Sequence, residues 1–125
     1  MKDIKAIILA LSTALFLKLF LLDFMIAQGN SMEPAIKSGT ILVVNRMRYG
    51  IRPPWRQKYL VRWMQPKEGE VVVFYTPSGE LAVKRFFAMT EGGFLAKGDN
   101  AASSYDSRSY GPIPVDNIIG KVLGY

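Results

Sequence analysis

Residues Glu70–Ala88 read EVVVFYTPSGELAVKRFFA, and this stretch is typical of a β-hairpin. The run that ends at Tyr75 is apolar and β-branched, as strands commonly are. Thr76–Gly79 supplies the Pro and Gly that mark a turn, and a second apolar run begins at Leu81. The two runs are therefore expected to pair as antiparallel neighbours.

Other short runs of the same kind lie on both sides of this hairpin. Thr40–Asn45 follows a Gly-containing turn, Phe94–Lys97 follows another, and Ile118–Leu123 comes last. Strands of this length, closely spaced and joined by Gly and Pro turns, are typical of small all-β domains. The chain of 125 residues is therefore predicted to be mostly β, with a small antiparallel β-sandwich or barrel.

An apolar segment, Ile4–Ile26, precedes the strands. A bilayer core of about 30 Å needs roughly 20 helical residues, so this segment is long enough to cross a membrane. We expect residues 1–27 to form a transmembrane anchor with a short cytoplasmic tail, and residues 28–125 to form an extracytoplasmic domain. A cleavable signal peptide would have a shorter apolar core and a better cleavage site than Ala27-Gln28-Gly29. A buried core helix is disfavoured because the rest of the chain is too small to enclose it.

The chain contains no histidine and no cysteine, which restricts the chemistry that it can perform. Gly29-Asn30-Ser31-Met32-Glu33-Pro34 lies just beyond the apolar segment, and a Gly-x-Ser turn can expose a hydroxyl beside free backbone N–H groups. No Ser-His-Asp or Cys-His apparatus can activate Ser31, so a lysine is the best available base. The alternative is that Ser31 is a turn residue or a helix N-cap.

Lys84 is the candidate base because it lies among apolar residues of the second hairpin strand. Alternation along a strand places it on one face with Ala82 and Phe86. Apolar surroundings penalise the charged amine and lower its pKa, so a neutral Lys84 could accept a proton from Ser31. The alternative is that Lys84 and Arg85 are basic residues that protect an exposed strand edge.

A polar loop before the last strand is the third candidate block. Asp106 and Arg108 could pair across a tight turn and hold the loop in shape. Ser103, Ser104 or Ser107 could hydrogen-bond the lysine amine and orient it. An ordinary polar loop is the alternative. No metal site is expected because histidine and cysteine are absent and the carboxylates are scattered.

Basic and aromatic residues are interleaved over Arg46–Trp63, here called the basic-aromatic loop, which contains no acidic residue. Pro53-Pro54 interrupts it, so we predict an excursion loop rather than a helix. Three interpretations stay open. A neighbouring anchor favours contact with anionic lipid headgroups. The others are a solvated loop whose aromatic rings fold onto the core and, less favoured, a nucleic-acid surface.

Taken together, these blocks resemble the type I signal peptidases, the membrane-bound Ser/Lys proteases that remove secretory signal peptides. The matching segments follow the family's order: Ser31–Pro34 for the nucleophile box, Gly69–Phe74 for the next strand, Val83–Arg85 for the lysine box, and Gly98–Asn100 with Ser104–Arg108 and Gly111 for the last box. Little sequence joins the last two boxes, so the chain resembles a minimal short form. The chain is similar to the bacterial and organellar members because it has a lysine at position 84, where the archaeal and endoplasmic-reticulum members have a histidine.

The resemblance implies a role for each matching residue. Ser31 is the acylating nucleophile, its backbone N–H contributes to the oxyanion hole, and Lys84 is the general base. Ser104 orients the lysine amine, while Asp106 and Arg108 form a supporting ion pair. No cofactor is implied.

The resemblance also implies the substrates, which are secreted preproteins cleaved after small residues at Ala-X-Ala sites. Shallow substrate pockets are expected near Ile26, Met32, Ile36 and Val83. The substrate would lie beside Leu81–Val83 as an added strand. One departure is Gly29, where some members carry a hydroxyl that donates to the oxyanion.

The implied setting is the bacterial cytoplasmic membrane, crossed once, with the N-terminus inside and the catalytic domain on the outer face. Lys2 and Lys5 give weak support for this orientation. The expected partners are preprotein signal peptides and membrane lipids, with no nucleic acid and no metal. Two alternative functions stay open: a specialised relative, such as a conjugative-pilus maturation peptidase, and a non-catalytic membrane-anchored binding module.

Overall fold

The computed structural model describes residues Met1 to Tyr125, and it confirms a mostly antiparallel β fold with one N-terminal apolar helix. In chain order, the main elements are α1 (Lys2–Phe16), a π-helical segment (Leu17–Leu21), β1 (Leu22–Ile26), β2 (Ile41–Asn45), β3 (Gly50–Ile51), β4 (Val61–Arg62), β5 (Val71–Tyr75), β6 (Leu81–Thr90), β7 (Gly93–Lys97), α2 (Ser107–Tyr110) and β8 (Ile118–Val122). Every strand predicted from the sequence is present. Short 3₁₀ turns at Ala101–Ser103 and Val115–Asn117 flank α2.

One antiparallel sheet contains six strands in the order β1-β2-β8-β5-β6-β7, and β3 and β4 form a separate two-stranded ribbon. The hairpin of β5 and β6 places Val72 opposite Lys84. On the other side of β6, pairing with β7 begins only at Arg85. The first part of β6, Leu81–Lys84, therefore has a partner on one side and an open edge on the other.

The predicted helix over Ile4–Ile26 was wrong at its C-terminal end. Helical structure covers Lys2–Leu21, a stretch of 20 residues that is long and apolar enough to cross a membrane. Leu22–Ile26 instead forms β1 and pairs with β2. Hydropathy does not distinguish a helix from a strand over Leu22–Ile26, because a mostly apolar segment is compatible with either. Pairing with β2 decides between them, and an ion pair of 3.0 Å between Asp23 and Arg46 fixes the start of the strand.

The central strand β5 is buried on both faces, which explains its unbroken apolar run. Alternate residues belong to two hydrophobic clusters, with Val72 and Phe74 in the first and Val71 and Val73 in the second. The second cluster also contains Met32 and Ile36, which closely follow Ser31 in the chain. Burial of these two side chains anchors the Ser31 turn to the core.

The basic-aromatic loop is an excursion from the sheet, as predicted, and the ribbon of β3 and β4 closes it. Its tyrosines, Tyr49 and Tyr59, are buried in the first hydrophobic cluster. Its tryptophans, Trp55 and Trp63, are 73% and 51% exposed. The alternative in which the aromatic rings fold onto the core therefore holds for the tyrosines and not for the tryptophans.

Candidate active site

The hydroxyl of Ser31 and the amine of Lys84 meet in the folded chain. Lys84 Nζ lies 2.6 Å from Ser31 Oγ and donates a hydrogen bond to it. Ser31 lies in the turn that follows β1, while Lys84 lies on β6, so a turn and a sheet strand position the two groups independently. The structure thus brings together the two residues that the sequence suggests as nucleophile and base.

The surroundings of Lys84 favour its neutral form. The residue is only 8% exposed, and burial lowers the pKa of its amine below the ordinary value. The carboxylate of Asp106 opposes this shift, and the guanidinium of Arg108 reinforces it. A neutral amine, which can accept a proton, is therefore available at a lower pH than in an exposed lysine.

The fully buried carboxylate of Asp106 organises the loop that follows β7. Ser104 Oγ donates a hydrogen bond of 2.5 Å to Asp106 Oδ2, and the Gly98 N–H donates to the same oxygen at 2.8 Å. Arg108 donates to the carboxylate from its backbone N–H and from its guanidinium. Burial alone would raise the pKa of Asp106, but the hydrogen bonds outweigh it and hold that pKa well below its usual range.

Ser104 contacts the loop rather than the lysine. Besides donating to Asp106, its hydroxyl accepts a hydrogen bond of 3.1 Å from the Gly98 N–H. No hydrogen bond joins Ser104 Oγ to Lys84 Nζ. The orienting role that the resemblance implies for Ser104 therefore stays a prediction, and this geometry favours an indirect role through the loop.

Asn100 contacts the Ser31 turn, although no pattern in the sequence predicts this contact. Its backbone N–H donates to the Ser31 carbonyl at 2.8 Å, and its side-chain amide donates to the Asn30 carbonyl at 3.1 Å. These bonds fasten the polar loop to the turn that carries Ser31. Asn100 lies in a segment that matches the family's last box, but no spacing rule along the chain indicates contact with residues so distant in sequence.

The backbone N–H of Ser31 donates to no acceptor within the chain, so it is free to bind an oxyanion. Gly29 precedes it with a positive φ of 77°, a conformation that suits glycine. Glycine brings no hydroxyl to this position. The turn therefore offers backbone N–H groups, that of Ser31 among them, but no side-chain hydroxyl at position 29 to an oxyanion.

A groove of about 440 Å³ opens beside Ser31 and Lys84. Three residues predicted for the substrate pocket, Met32, Ile36 and Val83, all line it, and so does Ile26. The open edge of Leu81–Lys84 forms one wall. Residues that line the groove without having been predicted for it include Met25, Ala27, Gln28, Thr76 and Glu80.

Comparison with known proteins gives this arrangement a family. The family model described as "Signal peptidase, peptidase S26" matches residues 1–93 and 87–124, which is nearly the whole chain. This chain belongs to that family. The match runs from the N-terminal helix to β8, and membership supports a serine peptidase that acts on signal peptides.

Three relatives illustrate the similarity to individual proteins. A signal peptidase I from Bacillus caldolyticus is 28% identical over 85% of this chain and 80% of its own length. A signal peptidase I from Haemophilus influenzae is 30% identical over 89% of this chain but only 31% of its own length. A mitochondrial inner membrane protease subunit 1 from Xenopus tropicalis is 30% identical over 80% of this chain and 66% of its own length.

Gly98→Ala is expected to lower peptidase activity about 100-fold, because a misplacement near 1 Å at a reacting group can cost that much. A Cβ at this position would lie 2.6 Å from the Ser31 carbonyl oxygen and 2.1 Å from Ser104 Oγ, so the Ser31 turn must shift. The measurement is kcat/KM on a preprotein. Gly92→Ala is the matched control, since its Cβ would meet Pro112 at 3.4 Å. Equal activities of the two variants would show that the close approach of Gly98 is not needed.

Proposed function

We propose that this chain is a membrane-anchored serine endopeptidase that uses Ser31 and Lys84 to remove signal peptides from secreted preproteins after small residues. The observation that carries the proposal is the contact of 2.6 Å between Lys84 Nζ and Ser31 Oγ. A buried amine of lowered pKa beside a hydroxyl can activate a serine nucleophile without histidine.

In the proposed reaction, neutral Lys84 accepts the Ser31 proton while Ser31 Oγ attacks the carbonyl carbon of the scissile bond. The negative charge that develops on the carbonyl oxygen is stabilised by the free Ser31 N–H. The Lys84 ammonium then donates its proton to the leaving amine, and the C–N bond breaks to leave an acyl-enzyme. Lys84 next takes a proton from water as the water oxygen attacks the ester carbonyl. The bond between Ser31 Oγ and that carbonyl carbon then breaks, Lys84 returns the proton to Ser31 Oγ, and the signal peptide leaves with a free carboxyl group.

The substrate would bind as an extra strand on the open edge of Leu81–Lys84, since main-chain groups there have no strand partner. Strand addition fixes the backbone of the substrate and directs alternate side chains into the groove. Met32 and Val83 contribute apolar walls close to Ser31. Shallow apolar pockets of this kind suit small side chains at the −1 and −3 positions of an Ala-X-Ala site.

Membrane lipids are the second proposed partner. Alternate residues of β1 and their neighbour across β2 form an exposed apolar face, which consists of Leu22, Phe24, Ile26 and Ile41. This face continues directly from the membrane-spanning helix, and exposed apolar surface of this kind is suited to contact with a bilayer. The proposed setting is a bacterial cytoplasmic membrane with the N-terminus inside and residues 28–125 on the outer face.

The cleavage-site preference provides the test of this function. The intact chain in detergent should cleave an Ala-X-Ala peptide after the second alanine and should cleave a peptide with leucine at the −1 position about 10-fold to 100-fold more slowly. Mass spectrometry of the products identifies the bond that is cut, and kcat/KM gives the preference. The Ser31→Ala variant, which lacks the proposed nucleophile, is the inactive control. No cleavage by the wild-type chain, or an equal rate on both peptides, would contradict the proposed function.

A further inference from the structure

The two tryptophans of the basic-aromatic loop face solvent although both are large and apolar. Trp55 is 73% exposed and Trp63 is 51% exposed, and exposed Leu60 and Val61 lie between them in the chain. Covering this much apolar surface would be favourable, by about 25 cal/mol for each Å². Trp is also the side chain that is enriched at membrane–water interfaces, where one part of the ring is buried and its N–H stays hydrated.

The position of the loop brings Trp55 to the membrane boundary. The ring of Trp55 makes an edge contact with Phe20, with 5.8 Å between the ring centroids. The Arg46 N–H, where the loop begins, donates to the Leu21 carbonyl at 2.7 Å. Phe20 and Leu21 end the membrane-spanning helix, so both contacts hold the loop where that helix leaves the bilayer.

The charges of the exposed part of the loop are positive and unpaired. Arg56, Lys58 and Arg62 are exposed, and none of them forms an ion pair or a side-chain hydrogen bond within the chain. Of the nearby acidic residues, Asp116 is engaged with the Tyr59 backbone N–H, and Glu91 lines a groove together with Arg62. These positive charges complement an anionic surface rather than another part of this protein.

The ribbon that closes the loop holds it in one shape. Gly50 of β3 lies so close to β4 that a Cβ there would be 2.0 Å from the Val61 carbonyl oxygen. Buried Tyr59 donates from its hydroxyl to the Ile118 carbonyl at 2.7 Å and pins the far side of the loop to the core. The exposed tryptophans and cations are therefore presented on a fixed scaffold.

We propose that the basic-aromatic loop binds anionic phospholipid headgroups, with Trp55 and Trp63 in the bilayer interface and Arg56, Lys58 and Arg62 against the phosphates. This surface is distinct from the groove at Ser31, and the proposal does not depend on peptidase activity. It assigns the segment to lipid rather than to nucleic acid because of its contact with the end of the membrane helix.

Tryptophan fluorescence reports on this surface alone, because the chain contains two tryptophans and both lie in the loop. The intact protein is reconstituted in phosphatidylcholine vesicles that contain a fixed fraction of brominated acyl chains, with and without phosphatidylglycerol. Phosphatidylglycerol is expected to increase the quenching of Trp55 and Trp63, and added salt is expected to reverse that increase.

Arg56→Gln/Lys58→Gln should lower the equilibrium constant for binding of the loop to the anionic membrane about 25-fold, since each cation near an anionic surface contributes about 5-fold. Lys67→Gln/Lys97→Gln is the matched control, with the same change in charge beside β5 and in β7 and an expected response equal to the wild type. Equal quenching with and without phosphatidylglycerol, or equal loss in both double variants, would overturn the proposal. A single-stranded oligonucleotide that changes the emission more than phosphatidylglycerol does would also overturn it.

Discussion

Lys84→Met is expected to lower preprotein cleavage by about 10⁴-fold while the domain stays folded, because methionine keeps the packed stem and removes the base. Lys84 is 8% exposed, so most of its side chain already contacts protein. Its ammonium costs free energy to bury, as the lowered pKa indicates, and the substitution removes that cost. The measurements are kcat/KM in detergent and thermal unfolding followed by circular dichroism.

Two further variants separate base catalysis from simpler effects of charge. Lys84→Arg keeps the positive charge but stays protonated at every accessible pH, so it should be as inactive as the methionine variant. Lys67→Met removes an exposed lysine outside the groove and should cleave at the wild-type rate. A Lys84→Met protein that cleaves normally would exclude Lys84 as the base. A wild-type chain that cleaves nothing would favour a non-catalytic membrane-anchored module.

The pH profile of the wild type provides an independent check on the same amine. The base must be neutral, so kcat/KM should rise as pH increases through the pKa of Lys84. Burial lowers this pKa, which places the rise below the value near 10.4 of an ordinary lysine. A profile that is flat between about pH 5 and pH 10 is incompatible with a lysine base.

Local sequence patterns were sufficient to predict the sheet strands but not the end of the helix. The β5-β6 hairpin was predictable because Thr76–Gly79 is a turn between two β-branched runs, all within a short stretch. Leu22–Ile26 is as apolar as the helix before it, and only the distant strand β2 makes it a strand. The helix boundary therefore depends on the pairing of β1 with β2, and the hydropathy of the sequence does not reveal that pairing.

In the candidate site, too, local patterns predict some residues, whereas the contacts between them depend on the fold. Ser31 and Lys84 were identified separately, one from a turn and the other from an apolar strand, and the absence of histidine linked them. Their contact of 2.6 Å depends on the fold. Asn100 was missed since its amide and N–H reach the carbonyls of Asn30 and Ser31, and contacts between distant backbone groups leave no pattern along a single sequence.

Asp106→Asn is expected to destabilise the domain by about 3 kcal/mol, since the buried carboxylate accepts hydrogen bonds from several donors at once. Oδ2 accepts from the Gly98 N–H and from Ser104 Oγ, and Oδ1 accepts from the Arg108 backbone N–H. An amide has one oxygen, so in either orientation of the substituted side chain its NH₂ group faces groups that also donate. Thermal unfolding in detergent should show a midpoint lower by at least about 10 °C.

Asp99→Asn is the matched control, because Asp99 is paired with Arg85 by two hydrogen bonds of 2.7 and 2.8 Å at the surface rather than in the core. Exposure limits the loss there to about 1 kcal/mol or less. Similar losses in the two variants would show that the Asp106 carboxylate is no more important than a surface ion pair.

Acid should abolish the difference between wild type and Asp106→Asn, and the direction follows from linkage. The folded chain holds the pKa of Asp106 below the value near 3.9 of an unfolded aspartate. The ionised form therefore contributes stability that is fully present above about pH 4 and declines as pH falls toward the folded pKa. The asparagine variant lacks this contribution at every pH, so the two unfolding midpoints should converge below pH 4. The same carboxylate holds Gly98 and Ser104 against the Ser31 turn, so the variant should also lose kcat at neutral pH. A loss of stability without any loss of kcat would show that the loop is not needed to position the nucleophile.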